Sequence, residues 1–254
     1  MKKNRDAGKK ILIVDDNDEF RNYIKNELSG YYSVHEASGG EEGERLAMEL
    51  IPDIIITDLM MPGIDGIELC RRIKNNIEIS HIPVILLTAN SNIENEKLGY
   101  KEGADAYIQK PFDWDILLFR INNLIEQKIN RQQTIENNDK IHPETITISP
   151  LDEQFIKKVL EVIDSNLDNS EYSVEDLSRE MAMSRMTLYR KINAITGNSP
   201  IDFIRSVRLN KAAELLRQKQ FTVSEIAYKT GFGTPGYFTR MFKKKFGISP
   251  SKYE

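Results

Sequence analysis

The feature that most constrains the fold of this chain is a set of short apolar runs, rich in β-branched residues, in its first half. The runs cover residues 10–15, 33–37, 53–57, 83–88 and 106–109. Between them lie amphipathic segments whose apolar residues recur three and four positions apart. Strand-like runs that alternate with helix-like segments are typical of βα units. We therefore predict an α/β domain with a five-stranded parallel sheet.

The connectivity of such a sheet predicts where a ligand binds. Five strands with right-handed crossovers form a doubly wound sheet, for which the flavodoxin-like strand order 2-1-3-4-5 is the common solution. That order opens a crevice at the carboxyl ends of the first and third strands. Asp15 ends the first run, Asp16 comes directly after it, and Asp58 follows the third run. We therefore expect these three carboxylates to meet in one crevice.

Crowded carboxylates raise one another's pKa unless a cation is present, so we predict a bound divalent ion. Mg²⁺ is favoured because one or two carboxylates, waters and phosphate oxygens are its usual ligands. A carboxylate is also a competent nucleophile for phosphoryl transfer and forms an aspartyl phosphate. Thr88 ends the fourth run and Lys110 comes directly after the fifth, so both are expected on the same sheet edge. Lys110 is expected to pair with phosphoryl oxygens and Thr88 to hydrogen-bond them.

The second half of the chain has a different pattern. Residues 129–150 are polar and contain Pro143 and Pro150, which indicates a linker between a domain of residues 1–128 and one of residues 151–254. The later domain reads as all-α. Residues 172–200 align with residues 221–250, at an offset of 49 that becomes 50 after the central turn. The repeat predicts two helix-turn-helix units, at about 173–197 and 222–247.

Charge is distributed unevenly between the halves. Residues 1–128 hold 16 Lys and Arg against 23 Asp and Glu, a net charge of −7, whereas residues 151–254 hold 17 against 13, a net charge of +4. From Ser173 onward the count is 15 against 7, a net charge of +8. A basic end joined to an acidic one indicates that the C-terminal part meets a polyanion.

In a helix-turn-helix unit, the first residues of the second helix touch base edges in the major groove. The first predicted reading set is Ser184, Arg185, Met186, Thr187 and Arg190, and the second is Thr234, Pro235, Gly236, Tyr237 and Arg240. Arg190 aligns with Arg240, and each is expected to reach guanine edges or phosphates. The predicted DNA contacts also include Lys191, Lys243 and Lys244. Lys243, Lys244 and Lys245 are expected to contact the DNA phosphate backbone and to add salt-dependent affinity.

Two family resemblances follow from these motifs. VDDN, TDLMMPGIDG, LLTA and YIQKPF, at their spacings in residues 9–128, resemble the response-regulator receiver family. The resemblance implies that Asp58 is the phosphoacceptor, and that Asp15, Asp16, Asp58 and the Met60 backbone carbonyl serve the metal. It also implies that Thr88 and Tyr107 form the switch.

Residues 151–254 resemble the DNA-binding domain of the AraC/XylS family of transcription regulators. That resemblance implies two recognition helices in successive major-groove segments on one face of the DNA. The chain departs from the pattern at Pro235 and Gly236, whose small side chains leave less for base readout. Specificity is therefore expected to depend more on the first unit.

Together these features predict a phosphorylation-dependent transcription regulator of a two-component system, with no enzymatic turnover beyond self-phosphorylation and slow autodephosphorylation. The expected partners are double-stranded DNA, a cognate histidine kinase or histidine phosphotransfer domain, RNA polymerase and, on DNA, a second copy of the chain. No apolar run approaches the roughly 18 residues that span a membrane, so we expect a cytoplasmic protein without membrane contact.

Three alternatives remain open. A receiver followed by this helical domain also resembles the C-terminal output part of hybrid two-component sensors. A magnesium phosphatase of the haloacid-dehalogenase type has a similar sheet, but that family places its nucleophile on the first strand in a DxD arrangement, whereas this chain has DDND there. In the third alternative, the receiver acts only as a dimerisation module and accepts no phosphoryl group.

Overall fold

The computed structural model describes residues 8–89, 93–137, 141–147 and 149–253. The chain divides into two compact units, Met1–Lys128 and Ile129–Glu254. Within the predicted linker, residues 138–140 and 148 lie outside the described residues, as do residues 1–7 and 90–92 of the predicted first domain and Glu254 of the last. The domain limits drawn from the sequence stay a prediction.

The first unit contains a parallel sheet of five strands. These are β1 (Lys10–Val14), β2 (Ser33–Ala37), β3 (Ile54–Asp58), β4 (Val84–Thr88) and β5 (Ala106–Gln109). Their order is β2-β1-β3-β4-β5, and every neighbouring pair is parallel. The predicted flavodoxin-like doubly wound sheet is therefore confirmed.

Helices cover both faces of this sheet. They are α1 (Asp18–Leu28), α2 (Gly40–Leu50), α3 (Gly66–Asn75), α4 (Ile93–Lys101) and α5 (Trp114–Asn137). Because side chains alternate along a strand, Ile11 and Ile13 join the apolar cluster that includes α1 and α5 residues. Leu12 and Val14 join the cluster on the opposite face, which includes residues of α2 and α3.

The second unit is helical throughout its regular elements in the described part. It contains α6 (Pro143–Ile146), α7 (Pro150–Ser165), α8 (Val174–Glu180), α9 (Arg185–Thr196), α10 (Pro200–Gln218), α11 (Val223–Lys229), α12 (Pro235–Phe246) and a 3₁₀ turn at Pro250–Lys252. The predicted all-α architecture is confirmed. In neither unit do the described residues include a helix long and apolar enough to cross a membrane.

The sequence repeat corresponds to a repeat of helix-end chemistry. Ser173 and Thr222 begin the two copies, and each forms a reciprocal capping box with the acid three residues later. The second helices, α9 and α12, both end at a glycine in the left-handed conformation, Gly197 and Gly247. Each copy therefore folds as helix, turn and helix.

The turn between the paired helices needs a residue with positive φ, and the two copies meet this need differently. Ala182 has φ 52° in the first copy and Gly231 has φ 70° in the second. A Cβ at Gly231 would lie 2.4 Å from the carbonyl oxygen of Leu167 and 2.8 Å from Cζ of Arg208. Only the second turn therefore requires glycine for space as well as for conformation.

Candidate functional site

Four strand ends meet at the carboxyl edge of the sheet. Asp15 follows β1, Asp58 ends β3, Thr88 ends β4 and Lys110 follows β5. Because all five strands are parallel, these ends share one edge. The structure therefore brings together residues that are far apart in sequence.

The centre of this edge is the ammonium group of Lys110. Its Nζ lies 2.9 Å from Oδ2 of Asp15 and 2.5 Å from Oδ1 of Asp58. Both aspartates are buried, with 2% and 9% of their surface exposed. Burial raises the pKa of Asp58 above its ordinary value, Lys110 opposes that rise, and the neighbouring charge of Asp15 adds to it. Lys110 is thus a cation that offsets the crowding of the two carboxylates.

The remaining oxygens of the two aspartates are held by the loops that follow the strands. The Met60 backbone N–H donates to Oδ2 of Asp58 at 3.0 Å, and the Asn17 N–H donates to Oδ1 of Asp15 at 2.9 Å. Arg21, in the second turn of α1, donates to the backbone carbonyl of Asp15 at 2.6 Å. Sequence reasoning missed Arg21; its signal is an arginine five residues after the acidic pair.

The other predicted metal ligands are placed less centrally. Asp16 is exposed, and the described residues hold no group of three or more His, Cys, Asp or Glu arranged to bind a metal ion. However, Asp15 and Asp58 turn carboxylate oxygens toward one point, which the shared contact with Lys110 defines. Two converging carboxylates suit Mg²⁺, which keeps several waters and needs few protein ligands.

The two predicted switch residues lie on adjacent strands. Thr88 is buried, and its carbonyl accepts a hydrogen bond from the Lys110 N–H at 2.6 Å. Tyr107 is half-buried on β5, with its ring 6.4 Å from that of Tyr100 in α4. In the described part of the chain, its buried hydroxyl has no hydrogen-bond partner. The peptide bond between Lys110 and Pro111 is cis.

In the second unit, the first reading set occupies the start of α9. The Ser184 hydroxyl caps the helix by accepting from the Thr187 N–H at 3.0 Å. Arg185, Met186 and Arg190 are exposed, and Arg185 forms an ion pair with Glu175 of α8 at 2.6 Å. The helix start therefore presents cationic and apolar side chains to a ligand.

The second reading set occupies the start of α12 in the same way. Thr234 caps the helix by accepting from the Tyr237 N–H at 3.3 Å, and Pro235 is its first residue. Gly236 faces open space, so only its backbone meets a ligand there. The Arg240 guanidinium lies 5.4 Å from the centre of the Tyr237 ring. Lys243 and Lys244 are exposed near the end of the helix, whereas Lys245 donates to the Ser206 hydroxyl at 2.5 Å.

One predicted DNA contact needs correction. Lys191 has none of its surface exposed and forms an ion pair with Asp152 of α7, which is also fully buried. It follows Arg190 directly, but a step of one residue turns its side chain about 100° around the helix, into the core. Its ammonium group is therefore buried and is not available for the predicted contact with DNA.

The two helix starts border a common concavity. A cavity of about 1020 Å³ is lined by Met186 and Tyr189 of α9, by Tyr237 of α12 and by Ile201 and Arg205 at the start of α10. The two reading sets therefore open onto the same side of the second unit.

Comparison with known families gives a match in each half of the chain. Residues 11–122 match the model of the response regulator receiver domain, and residues 177–254 match that of an AraC-type helix-turn-helix domain. A probable transcriptional regulator, ycf29 of Pyropia yezoensis, is 32% identical over 65% of this chain and 74% of its own length. The chain belongs to the response regulators. This response regulator combines a receiver domain with AraC-type DNA-binding units and has the architecture of a two-component transcription regulator.

The chain covers only part of two further relatives of this response regulator. The DNA-binding dual master transcriptional regulator RpaA of Synechocystis sp. is 34% identical over 56% of this chain and 59% of its own length. Histidine kinase P4 of Formosa agariphila is 41% identical over 96% of this chain but only 18% of its own length. The chain thus spans less than two thirds of these two relatives. A solved receiver domain from Clostridium thermocellum is 36% identical, with a TM-score of 0.45, over 48% of this chain and 98% of that chain.

Proposed function

We propose that Asp58 accepts a phosphoryl group and that its phosphorylation controls sequence-specific DNA binding by the second unit. The observation that carries the proposal is the convergence of two buried carboxylates, from Asp15 and Asp58, on the Lys110 ammonium. This constellation occurs in a chain whose other unit presents two capped helices with exposed arginines. The receiver and helix-turn-helix families that the chain matches support both halves of the proposal.

The transfer step needs little from the protein besides position and charge. A carboxylate oxygen of Asp58 forms a bond to phosphorus while the bond from phosphorus to the donor breaks, and the leaving group takes that electron pair. Lys110 then exchanges its contact with Asp58 Oδ1 for a phosphoryl oxygen. Thr88, at the next strand end, would donate its hydroxyl to another phosphoryl oxygen. The Met60 N–H holds the carboxylate meanwhile.

Asp15, Asp16, Asp58 and the Met60 carbonyl are the groups that would hold Mg²⁺. When bound, the ion supplies neutralisation of the charge that the phosphoryl group brings. Phosphorylation adds about −1.5 to −2 charge at a single point. We propose that this charge draws Thr88 and Lys110 inward and that Tyr107 repacks in response.

To move the ratio of active to inactive conformation from 1:99 to 99:1, phosphorylation must favour the active conformation by about 5.5 kcal/mol. Dimer formation on DNA would supply part of that free energy. The proposed partners are therefore double-stranded DNA, a second copy of the chain, a histidine kinase or histidine phosphotransfer domain as phosphodonor, and RNA polymerase at the promoter.

The test begins with the full chain, acetyl phosphate and Mg²⁺, followed by mass spectrometry and by selection of bound genomic DNA. We expect one phosphoryl group on Asp58, none in Asp58→Ala, and tighter binding of selected sites by the phosphorylated protein at fixed salt. Asp115→Asn, which alters an exposed carboxylate in α5, is the matched control and should behave as wild type. Equal promoter affinity of phosphorylated wild type and Asp58→Ala would refute the switch.

A second candidate function rests on the similarity to Histidine kinase P4. In this reading, the receiver takes its phosphoryl group from a kinase within the same polypeptide, and the unit is the output end of a hybrid sensor. The coding sequence upstream of this segment distinguishes the two. A kinase domain in the same reading frame supports the hybrid, and a stop codon followed by a start at Met1 excludes it.

A further inference from the structure

An aromatic ring lies directly against the cation of the acidic site. The Nζ of Lys110 is 3.8 Å from the centre of the Phe20 ring. Phe20 is in the first turn of α1, and its backbone N–H donates to the Asn17 side chain that caps the helix, at 3.0 Å. On its other side, the ring meets Phe112 edge-on, with 6.3 Å between ring centres. The ring is therefore held from two directions.

This contact complements the two ion pairs of Lys110. An ammonium group has three N–H donors, and Asp15 and Asp58 each accept from it. The face of a phenyl ring attracts a cation through its quadrupole. Unlike a third carboxylate, the ring adds no charge and would not compete with a phosphoryl oxygen for the ammonium group. It can therefore hold Lys110 while the lysine's anionic partners change.

We propose that Phe20 is a positioning residue for phosphoryl transfer, which holds the Lys110 ammonium over the crevice by a cation–π contact. This inference rests on the proposed function of Asp58. Before transfer, Lys110 contacts the carboxylate; afterwards it must reach a phosphoryl oxygen on the same residue. The flexible four-carbon stem of a lysine allows many positions, and the Phe20 ring restricts them to those near Asp58.

The test varies the electronic character of the ring and leaves its shape nearly constant. Phe20 is replaced in the full chain by phenylalanine carrying one, two or three ring fluorines, which weaken the quadrupole in steps. We expect the rate constant of phosphorylation by acetyl phosphate to fall with each fluorine. Phe20→Leu, which removes the ring, should be about two- to thirtyfold slower than wild type, the range that cation–π contacts span. Beryllofluoride affinity should fall in parallel.

The matched control is the same fluorine series at Phe119, an exposed ring in α5, which should leave the rate within about twofold. If wild type is phosphorylated normally and the rate does not change with the number of fluorines at Phe20, the positioning role is overturned. Phe20 would then only fill space. If wild type and Asp58→Ala take up phosphoryl groups equally, the proposed function fails and this inference fails with it. The fluorinated variants keep the test decisive even if Phe20→Leu unfolds.

Discussion

The buried ion pair between Lys191 and Asp152 yields a sharp stability prediction. Both side chains are completely buried, and they join α9 to α7. Removal of one partner takes the opposite charge away from the buried charge that remains, which costs about 3–5 kcal/mol. Replacement of both by apolar groups removes the charge as well, and such replacements are often neutral or stabilising. We therefore expect Asp152→Ala and Lys191→Met each to be severely destabilising and the double variant to be much less so.

The chain has two compact units, so its overall melting curve does not report on this pair alone. Hydrogen exchange of the α7 and α9 amides in the full chain measures the relevant opening reaction. A loss of about 3–5 kcal/mol corresponds to faster exchange by a factor of roughly one hundred to a few thousand. In the double variant, most of the protection should return.

The control for this experiment is Glu153→Gln. Glu153 is the next residue in the first turn of α7, and its carboxylate pairs with the half-exposed Lys157. Its loss removes a helix-end charge without disturbing the buried pair, and should change stability by about 0.5 kcal/mol or less. The reasoning is refuted if the three single variants exchange alike, or if the double variant is as unprotected as the sum of its two parents.

Three further predictions concern other sites. Because burial raises the pKa of Asp58, the folded state loses stability as pH rises from the ordinary carboxyl pKa through the raised one. Asp58→Asn should therefore raise the midpoint of thermal unfolding at pH 7 but not at pH 3. A lower midpoint at pH 7 would contradict this prediction. Burial also raises the pKa of the Cys70 thiol to about 12; iodoacetamide at pH 8 should label it only in denaturant, and rapid labelling of the native chain would show that the thiol is accessible. Lys243→Ala should reduce the magnitude of the negative slope of log DNA affinity against log salt concentration by about 0.9. Lys157→Ala is the control and should leave the slope unchanged. Equal slopes for Lys243→Ala and wild type would show that Lys243 does not contact DNA phosphates.

The sequence predicted the sheet and the acidic site well for the same reason. Both depend on strand ends, and the apolar runs mark where strands end. Once the strand order follows from the connectivity rule, Asp15, Asp58, Thr88 and Lys110 must share an edge, whatever their separation in sequence. The predicted strand order therefore also predicted which residues lie next to one another in the site.

Contacts that depend on the rotation of a side chain about a helix were not predictable in this way. Lys191 resembles its exposed neighbour Arg190 in type, and the acid that pairs with it lies 39 residues earlier in the chain, in another helix. No local period links Lys191 to Asp152. Phe20 was missed for a related reason, because an apolar residue in an amphipathic helix is expected in the core rather than against a functional lysine.

Lys110 and Lys191 show how burial distinguishes an accessible ion pair from an inaccessible one. Each ammonium group contacts carboxylate and aromatic side chains, with Phe20 beside the first and Phe155 about 5.9 Å from the second. However, 22% of the Lys110 side chain is exposed, whereas none of Lys191 is. Solvent reaches the first lysine, so its partner can exchange without a change in the fold. For the second lysine, any exchange requires that α7 and α9 separate. The same pair of groups is thus suited to the phosphoryl transfer proposed at the sheet edge and, when fully buried, forms a fixed link in the helical unit.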